Sequence, residues 1–387
     1  MMGARKYRVL HAPSSVGGNP QALSLALKAL GVDSTSLVVS QNYLSYGADV
    51  VLHRPGGSFL LREVKRVWAV LFYLPRFDVI HYNAGTTVAS AYGLDFPMAG
   101  QRDASSVLRF LYAGYLRALQ KLELFLVTSM RKAVFVTYQG DDARQGDYSL
   151  KHFAISIAAQ VEPGYYDAAS DRFKRENILL LSSVARGVYA VNPDLLHVLP
   201  PQARFVPYSL FFMTDWTPVY SQAEPRPLRI VHAPSHRKVK GTALILQACA
   251  NLRDKGYQFE LLLVEGLSNA EARKVYESAD VLVDQLFAGW YGGLAVELMA
   301  LGKPVLVYLR DGDLRFLPPQ MRSELPLVQV TPDSVEQELQ RVLDMPRAAL
   351  VTLGKKSRAY VERWHDPLKI ATDIKRDYEA ALQQSRG

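Results

Sequence analysis

The sequence predicts an α/β protein built of two Rossmann-like domains in tandem, and three observations predict it. The 387 residues amount to about two to three times the usual domain size. A short apolar strand, a Pro/Ser/Gly loop and a helical pattern occur at Arg8-Val-Leu-His11-Ala-Pro13-Ser14 with Gly17-Gly18-Asn19-Pro20. The same series returns at Arg229-Ile-Val-His232-Ala-Pro234-Ser235 with Lys240-Gly241-Thr242. That is how the first unit of a doubly wound domain begins. Apolar runs then alternate with helical patterns on both sides of a proline-rich stretch. With 49% hydrophobic and 21% charged residues the chain has the material for full cores, which excludes an intrinsically disordered protein.

In the first half, strands are expected at 36–39, 78–81, 133–138, 154–157, 188–191 and 203–206, since each is a short β-branched or apolar run. The first domain is read as 1–207. Pro207, Pro218, Pro225 and Pro227 break any helix, so 208–227 is read as the linker. The second domain spans 228–366, with strands at 259–264, 281–283, 305–309 and 328–330. Residues 367–387 read as a terminal helix, expected to pack back on the first domain.

The formal charge of +8 favours anionic partners, namely nucleotide phosphates, acidic lipid surfaces or nucleic acid. No nucleic-acid recognition motif accompanies the charge, so nucleic acid is not expected. Residues 1–6 are basic, but the apolar run from Tyr7 to Ala12 is too short, and Pro13 too close, for a signal peptide or a membrane span. The single cysteine, Cys249, cannot form an intramolecular disulfide and suits a reducing cytoplasm. Two helical patterns, 58–74 and 105–126, mix Leu, Phe, Tyr and Trp68 with Arg62, Lys65, Arg66, Arg109, Arg117 and Lys121. They read either as ordinary helices facing a core or as basic amphipathic helices that attach to the anionic inner face of a membrane.

The richest stretch is 279–305. An apolar run, Val281 to Val283, feeds a glycine-rich turn holding Trp290, Tyr291, Gly292 and Gly293; a helical segment with one acid, Glu297, follows, then Gly302 and a second apolar run. A glycine loop of this kind brings backbone N–H groups to a helix N-terminus, where unpaired donors and the dipole favour a phosphate. Glu297 falls one turn into that helix. No His/Cys cluster suggests zinc, and no Walker loop or Gly-x-Ser-x-Gly element is present. Asp311-Gly312-Asp313 has the form of a metal-binding Asp-x-Asp pair but follows a second-domain strand, and no metal is expected.

Ala279-Asp280, together with Glu297, Met299-Ala300, Gly302, Pro304 and Val305, resembles the motif of the retaining glycosyltransferases of family 4, which have the GT-B fold of two Rossmann-like domains facing across a cleft. The resemblance implies a nucleotide-diphosphate sugar as co-substrate and no further cofactor. It gives Glu297 the nucleotide ribose. It assigns Arg237 and Lys240 to the donor diphosphate, where fixed cations offset the charge that grows on the leaving group. Backbone groups from Trp290 to Gly293 would grip sugar or phosphate oxygens. The family's earlier glutamate, which holds the donor sugar, falls at Gly289. Gly17 and Gly18 resemble its N-terminal glycine loop. A family histidine that contacts the transferred sugar falls at Gln139, which can hydrogen-bond a hydroxyl but not shuttle a proton, so that acid–base work shifts to Asp141 or Asp142. These two acids equally suit a helix N-cap, and His81 suits a buried structural histidine.

The expected activity is therefore retaining transfer of a sugar to a glycan or lipid-linked acceptor in bacterial surface polysaccharide assembly, in the cytoplasm or on the inner face of the membrane. A nucleotide-sugar epimerase of the same architecture and a non-catalytic nucleotide-sugar-binding module are the alternatives, the latter because of Gly289 and Gln139.

Overall fold

The computed structural model describes residues 7–13, 16–40, 47–53, 56–90, 104–221 and 226–384. Residues 1–6, Ser14 and Pro225 lie outside them, as does the side chain of Arg109. Two units form. The first comprises Met1–Tyr148, Pro163–Phe211 and Pro367–Gly387, the second Ser149–Glu162 and Phe212–Asp366.

The first unit carries β1 (Arg8–Ala12), α1 (Asn19–Ala29), β2 (Asp33–Ser40), β3 (Val50–His53), α2 (Phe59–Trp68), β4 (Val79–Asn83), α3 (Ala104–Ser129) and β5 (Ala133–Tyr138). After α4 (Gly146–His152), which runs across the unit boundary, come α5 (Ala168–Ser182), β6 (Gly187–Ala190) and β7 (Arg204–Phe205). Among the described residues its strands number seven, all parallel, in the order β3-β2-β1-β4-β5-β6-β7. Strands β4 and β5 are buried along their whole length, because helices cover both faces of a parallel sheet. Leu10, Ile80, Val134, Val136 and Val188 supply the core. At the end of β1, Gly17 and Gly18 take φ of +68° and +69°, which only glycine adopts without strain, and turn the chain into α1.

In the second unit β8 (Leu228–His232), α6 (Arg237–Lys240), α7 (Thr242–Asp254), β9 (Phe259–Leu263), α8 (Asn269–Ser278), β10 (Val281–Val283) and α9 (Gly293–Ala300) follow one another. They are succeeded by β11 (Val305–Val307), α10 (Pro319–Ser323), β12 (Val328–Gln329), α11 (Val335–Leu343) and α12 (Arg347–Trp364). The order is β12-β11-β10-β8-β9, again all parallel. The repeated segments thus become β1 and β8, each the strand from which its sheet is wound in both directions. Both repeat histidines are buried: His232 bonds Val283 O and Thr242 Oγ1 at 2.8 and 2.9 Å, whereas among the described residues no hydrogen-bond partner meets either ring nitrogen of His11.

Two expectations change. Residues 154–157 form no strand: the segment belongs to the second unit, where Ile155 O accepts a hydrogen bond from Arg310 Nη2 at 3.0 Å and the Arg310 guanidinium lies 3.7 Å over the Phe153 ring. Strand β3 arises where none was read, pairing with β2 through Leu37 and Val50. Of the stretch 208–227, the part from Phe212 on belongs to the second unit. Val219 N bonds Leu301 O at 2.9 Å, and Arg226 clasps the buried Asp280 carboxylate through both terminal nitrogens.

The last helix, α13 (Pro367–Gln384), packs in the first unit on α1 and β5, as expected. Its buried Tyr378 hydroxyl meets His81 Nδ1 at 2.5 Å, and Tyr189 Oη donates to Asp377 at 2.7 Å. His81 Nε2 pairs with Thr137 Oγ1 at 2.7 Å. Burial, and then His11 beside it, hold the His81 imidazole well below its usual pKa, so it is a structural histidine. Tyr378→Phe leaves one buried ring nitrogen unpaired and is expected to lower stability by about 1–2 kcal/mol in urea unfolding. An unchanged midpoint would show that the hydroxyl does not hold the helix.

Candidate functional site

In the second unit the chemistry gathers where β8 and β10 end side by side, the point at which the sheet is wound outward in both directions. Ligands of open α/β sheets bind at such a point. Strand β8 leads into α6, whose Lys240 is almost wholly buried; β10 leads into Asp284, whose side chain is fully buried. Asp284 Oδ1 accepts from Lys240 Nζ at 2.8 Å, and Asp284 Oδ2 accepts from the Gly292 backbone N–H at 2.9 Å. Gly292 is the N-cap of α9. A buried ammonium is therefore pinned at the mouth of a helix whose opening N–H groups have no intrahelical partner.

A cavity of about 450 Å³ on the segment that carries Lys240 is lined by Arg237, Lys238, Gly241, Thr242, Leu244 and Phe287, with room for a small ligand; Lys240, Asp284 and Glu297 do not line it. Arg237 is exposed and paired with Glu265, its Nε 2.8 Å from Oε1. Lys238 pairs with Glu162 at 2.9 Å.

Further along α9, Glu297 is partly buried, and burial pushes its carboxyl up to about 7, against the smaller opposing pull of Arg273. Among the described residues no hydrogen-bond donor or ion-pair partner is recorded on its carboxylate. Such a partly buried acid is a candidate for a ligand contact.

Trp290 and Tyr291 do not offer side chains to a ligand. Both are buried, and Tyr291 Oη bonds His365 Nε2 at 2.8 Å and Tyr360 Oη at 3.1 Å, anchoring the loop to α12. Trp290 O accepts from Gln285 Nε2. The loop is rigid scaffolding for Gly292 and Gly293, and the Gly292 N–H is itself taken by Asp284.

Gly289 has φ +79°, and a Cβ there would lie 2.6 Å from Arg310 Nη1. The guanidinium fills the space that a side chain would need, held by Asp313 Oδ2 at 2.7 Å and by Ile155 O. That bond also takes up one acid of the Asp311/Asp313 pair. Gly289→Glu is expected to cost about 2–3 kcal/mol in urea unfolding without raising donor affinity, since both φ and contact oppose it. A stable variant that binds more tightly would refute this.

In the first unit, Gln139, Asp141 and Asp142 sit in the loop that follows β5. Asp142 accepts the N–H of Gln139 at 3.0 Å through each oxygen and that of Gly140 at 2.5 Å, so it closes the turn. Burial pushes it up to about 6 in spite of these bonds. Asp141 receives Arg144 Nη1 at 2.9 Å and the hydroxyls of Tyr165 and Tyr166. Burial alone would raise its pKa; Arg144 and the tyrosines outweigh it and hold the acid low. Both carboxylates are thus engaged by the protein, which weakens the acid–base role read from the sequence. Gln139 Nε2 is buried and has no hydrogen-bond partner among the described residues.

Sequence reasoning missed Asp284 and Arg310. An acid directly after strand 281–283 was the available signal for the first; nothing local marks the second.

No family model matches the chain, and no curated protein sequence does. Solved structures do. A sucrose-phosphate synthase from Thermosynechococcus elongatus superposes over 98% of this chain and 100% of its own, with TM-score 0.61 and 16% identity. The catalytic domain of starch synthase IV from Arabidopsis thaliana, bound to ADP and acarbose, covers 98% and 100% with TM-score 0.58 and 12% identity. Anabaena HepE in complex with UDP-glucose covers 97% and 100% with TM-score 0.56 and 12% identity. The fold is the GT-B fold. At such identities the likeness is one of architecture, and within this GT-B chain the role of each residue rests on its own surroundings.

Proposed function

We infer that this protein is a glycosyltransferase that takes a sugar from a nucleotide-diphosphate donor bound by its second unit. The observation that carries the reading is the Lys240–Asp284–Gly292 arrangement at the mouth of α9, with Glu297 behind it. Lys240 and the N-terminus of α9 would meet the diphosphate, and the charge that grows there as the sugar leaves would be stabilised by a cation already fixed in place. Glu297 would accept the ribose hydroxyls. Arg237 lines the adjoining cavity and would reach the donor after parting from Glu265. The backbone of Trp290 to Gly293 shapes this mouth. Bound ADP and UDP-glucose in two proteins of the same fold support a nucleotide ligand.

On the first-unit side, Gln139 would contact the transferred sugar through its unpartnered Nε2, and Gly17 and Gly18 would form the close-approach loop after β1. With Asp141 and Asp142 engaged by the protein, we read the transfer as retaining and assisted by the leaving diphosphate rather than by a protein nucleophile. The acceptor would be a glycan or lipid-linked saccharide of bacterial surface polysaccharide assembly, handled in the cytoplasm or at the inner face of the membrane; the buried free thiol of Cys249 suits that compartment.

A panel of UDP, GDP, ADP and their sugars tested by thermal shift decides the donor, because a ligand of the native state raises the melting temperature. No shift with any nucleotide would end the reading. The engaged Asp141 and Asp142 favour one rival, a binding module without catalysis; nucleotide binding with neither donor hydrolysis nor transfer would establish it.

A further inference from the structure

Two adjoining helices of the first unit carry an outer surface that no part of the described chain covers. Seven large apolar side chains stand exposed from Phe59 to Phe72 and seven more from Leu108 to Met130. Leu60 is 71% exposed, Phe72 60%, Phe110 73% and Phe125 66%, more than isolated surface residues of a well-packed domain account for. On α2 the exposed positions Leu60, Val64 and Trp68 recur at one helical face, which Phe72 continues in the π-helical turn Ala69–Tyr73; on α3 Leu111, Tyr115, Leu122 and Phe125 do the same. The two faces join. The exposed Phe59 ring lies 5.2 Å from Tyr112, which stacks on the exposed Tyr115 at 5.9 Å. Tyr112 Oη also donates to Glu63 Oε1 at 2.7 Å.

The charges on these helices are sorted by sign. The stretches 56–76 and 104–131 hold just two acids, Glu63 and Glu123, and both are buried. Glu63 receives Arg62 Nε at 2.9 Å and pairs with Arg66 at 3.2 Å; Glu123 receives Tyr82 Oη and the backbone N–H of Ala89 at 2.8 and 2.9 Å. Arg62 and Arg66 are thereby engaged inside. Lys65, Arg76, Lys121 and Arg131 remain exposed among the apolar residues. The outer face is apolar and cationic, with no carboxylate among its described residues.

We propose that this α2–α3 face docks the protein on a bilayer surface rich in anionic lipid. The apolar stripe enters the boundary between headgroups and acyl chains, and the lysines and arginines meet lipid phosphates. A protein partner carrying its own acids would match the cations but would leave so broad an aromatic and leucine surface to be covered as well; a bilayer offers both chemistries at once. Among the described residues no helix is long and apolar enough to cross a membrane, so attachment is along the surface. Taken with the transferase reading, on which this further step rests, the face places the acceptor in the membrane: a lipid-linked saccharide.

The test is co-sedimentation of the full chain, without nucleotide, with vesicles of phosphatidylcholine containing about 30% phosphatidylglycerol and with phosphatidylcholine alone. Binding to the anionic vesicles is expected, with a blue shift of tryptophan emission that disappears in Trp68→Phe. Lys65→Glu with Lys121→Glu should lower partitioning about tenfold or more, and Phe72→Ser with Phe125→Ser should abolish the emission shift. Circular dichroism and melting of each variant should match the wild type, because the altered side chains are exposed. Equal binding to both vesicle types, no binding, or variants that bind like wild type would overturn the proposal. So would a concentration-dependent dimer abolished by the same substitutions, since a second copy would then cover the face. Nucleotide thermal shifts measured on the same samples report the donor site separately, so that either reading can fail alone.

Discussion

Lys240→Ala is expected to abolish the nucleotide-induced thermal shift and to destabilise the ligand-free protein by about 3–5 kcal/mol, because Asp284 then stays buried with its partner gone. The two effects need separating. In Lys240→Met combined with Asp284→Asn neither residue carries a charge, and stability measured by urea unfolding should return most of the way to wild type. Nucleotide binding should not return, since the ammonium at the mouth of α9 is missing. If the double variant regains binding, Lys240 serves the fold alone. If Lys240→Ala keeps the thermal shift, the donor-phosphate site lies elsewhere.

Glu297→Gln is expected to make the ligand-free protein more stable at alkaline pH while weakening the ligand. The carboxyl titrates from 4.5 in its ordinary state to about 7 in the fold. Between these values the folded protein holds a proton that the unfolded chain has released, so stability falls as pH rises from about 4.5 to 7 and levels off above. The full swing is about 3 kcal/mol. Urea unfolding at a series of pH values should show this decline in wild type relative to Glu297→Gln. Taking the difference between the two proteins removes what Asp142 and the buried histidines contribute to both. For the ligand the sign reverses. Ribose hydroxyls donate best to the ionised acid, so affinity for a nucleotide sugar, whose diester diphosphate does not titrate near neutrality, should rise with pH through about 7. Glu297→Gln should bind at least about tenfold more weakly and without that pH dependence. A wild-type affinity that is flat from pH 6 to 8 would remove Glu297 from the site.

The sequence carried the architecture further than it carried the contacts. The twin segments at His11 and His232, the apolar run at 281–283 and the terminal helix from Pro367 were legible because each is encoded by residues a few positions apart: strand alternation, glycine turns, a proline at a helix start. Residues 154–157 misled for the same reason, since an apolar run reads as a strand, whereas Arg310 holds the segment from a distance along the chain no periodicity reports. The apolar run of β3, Val50–Leu52, is as short as others that were read and was passed over. At the candidate site Lys240, Gly292 and Glu297 were visible as types at suggestive places. Their coupling was not, because it runs through Asp284, and a buried ion pair across 44 positions leaves no local mark. Trp290 and Tyr291 were read for their backbone groups; what anchors the Tyr291 side chain, Tyr360 and His365, lies some seventy positions on.

The two units are not two consecutive lengths of chain, and this orders their birth on the ribosome. The polypeptide passes from one unit to the other four times, after Tyr148, Glu162, Phe211 and Asp366. The first unit begins synthesis first yet lacks Tyr378 and Asp377, the partners of His81 and Tyr189, until the helix after Pro367 has emerged. The second unit is meanwhile translated in one run apart from Ser149–Glu162, which waits beforehand. Sheet β8–β12 can therefore finish before sheet β1–β7 is closed, so that strands made earlier along this chain are sealed later than those made after them.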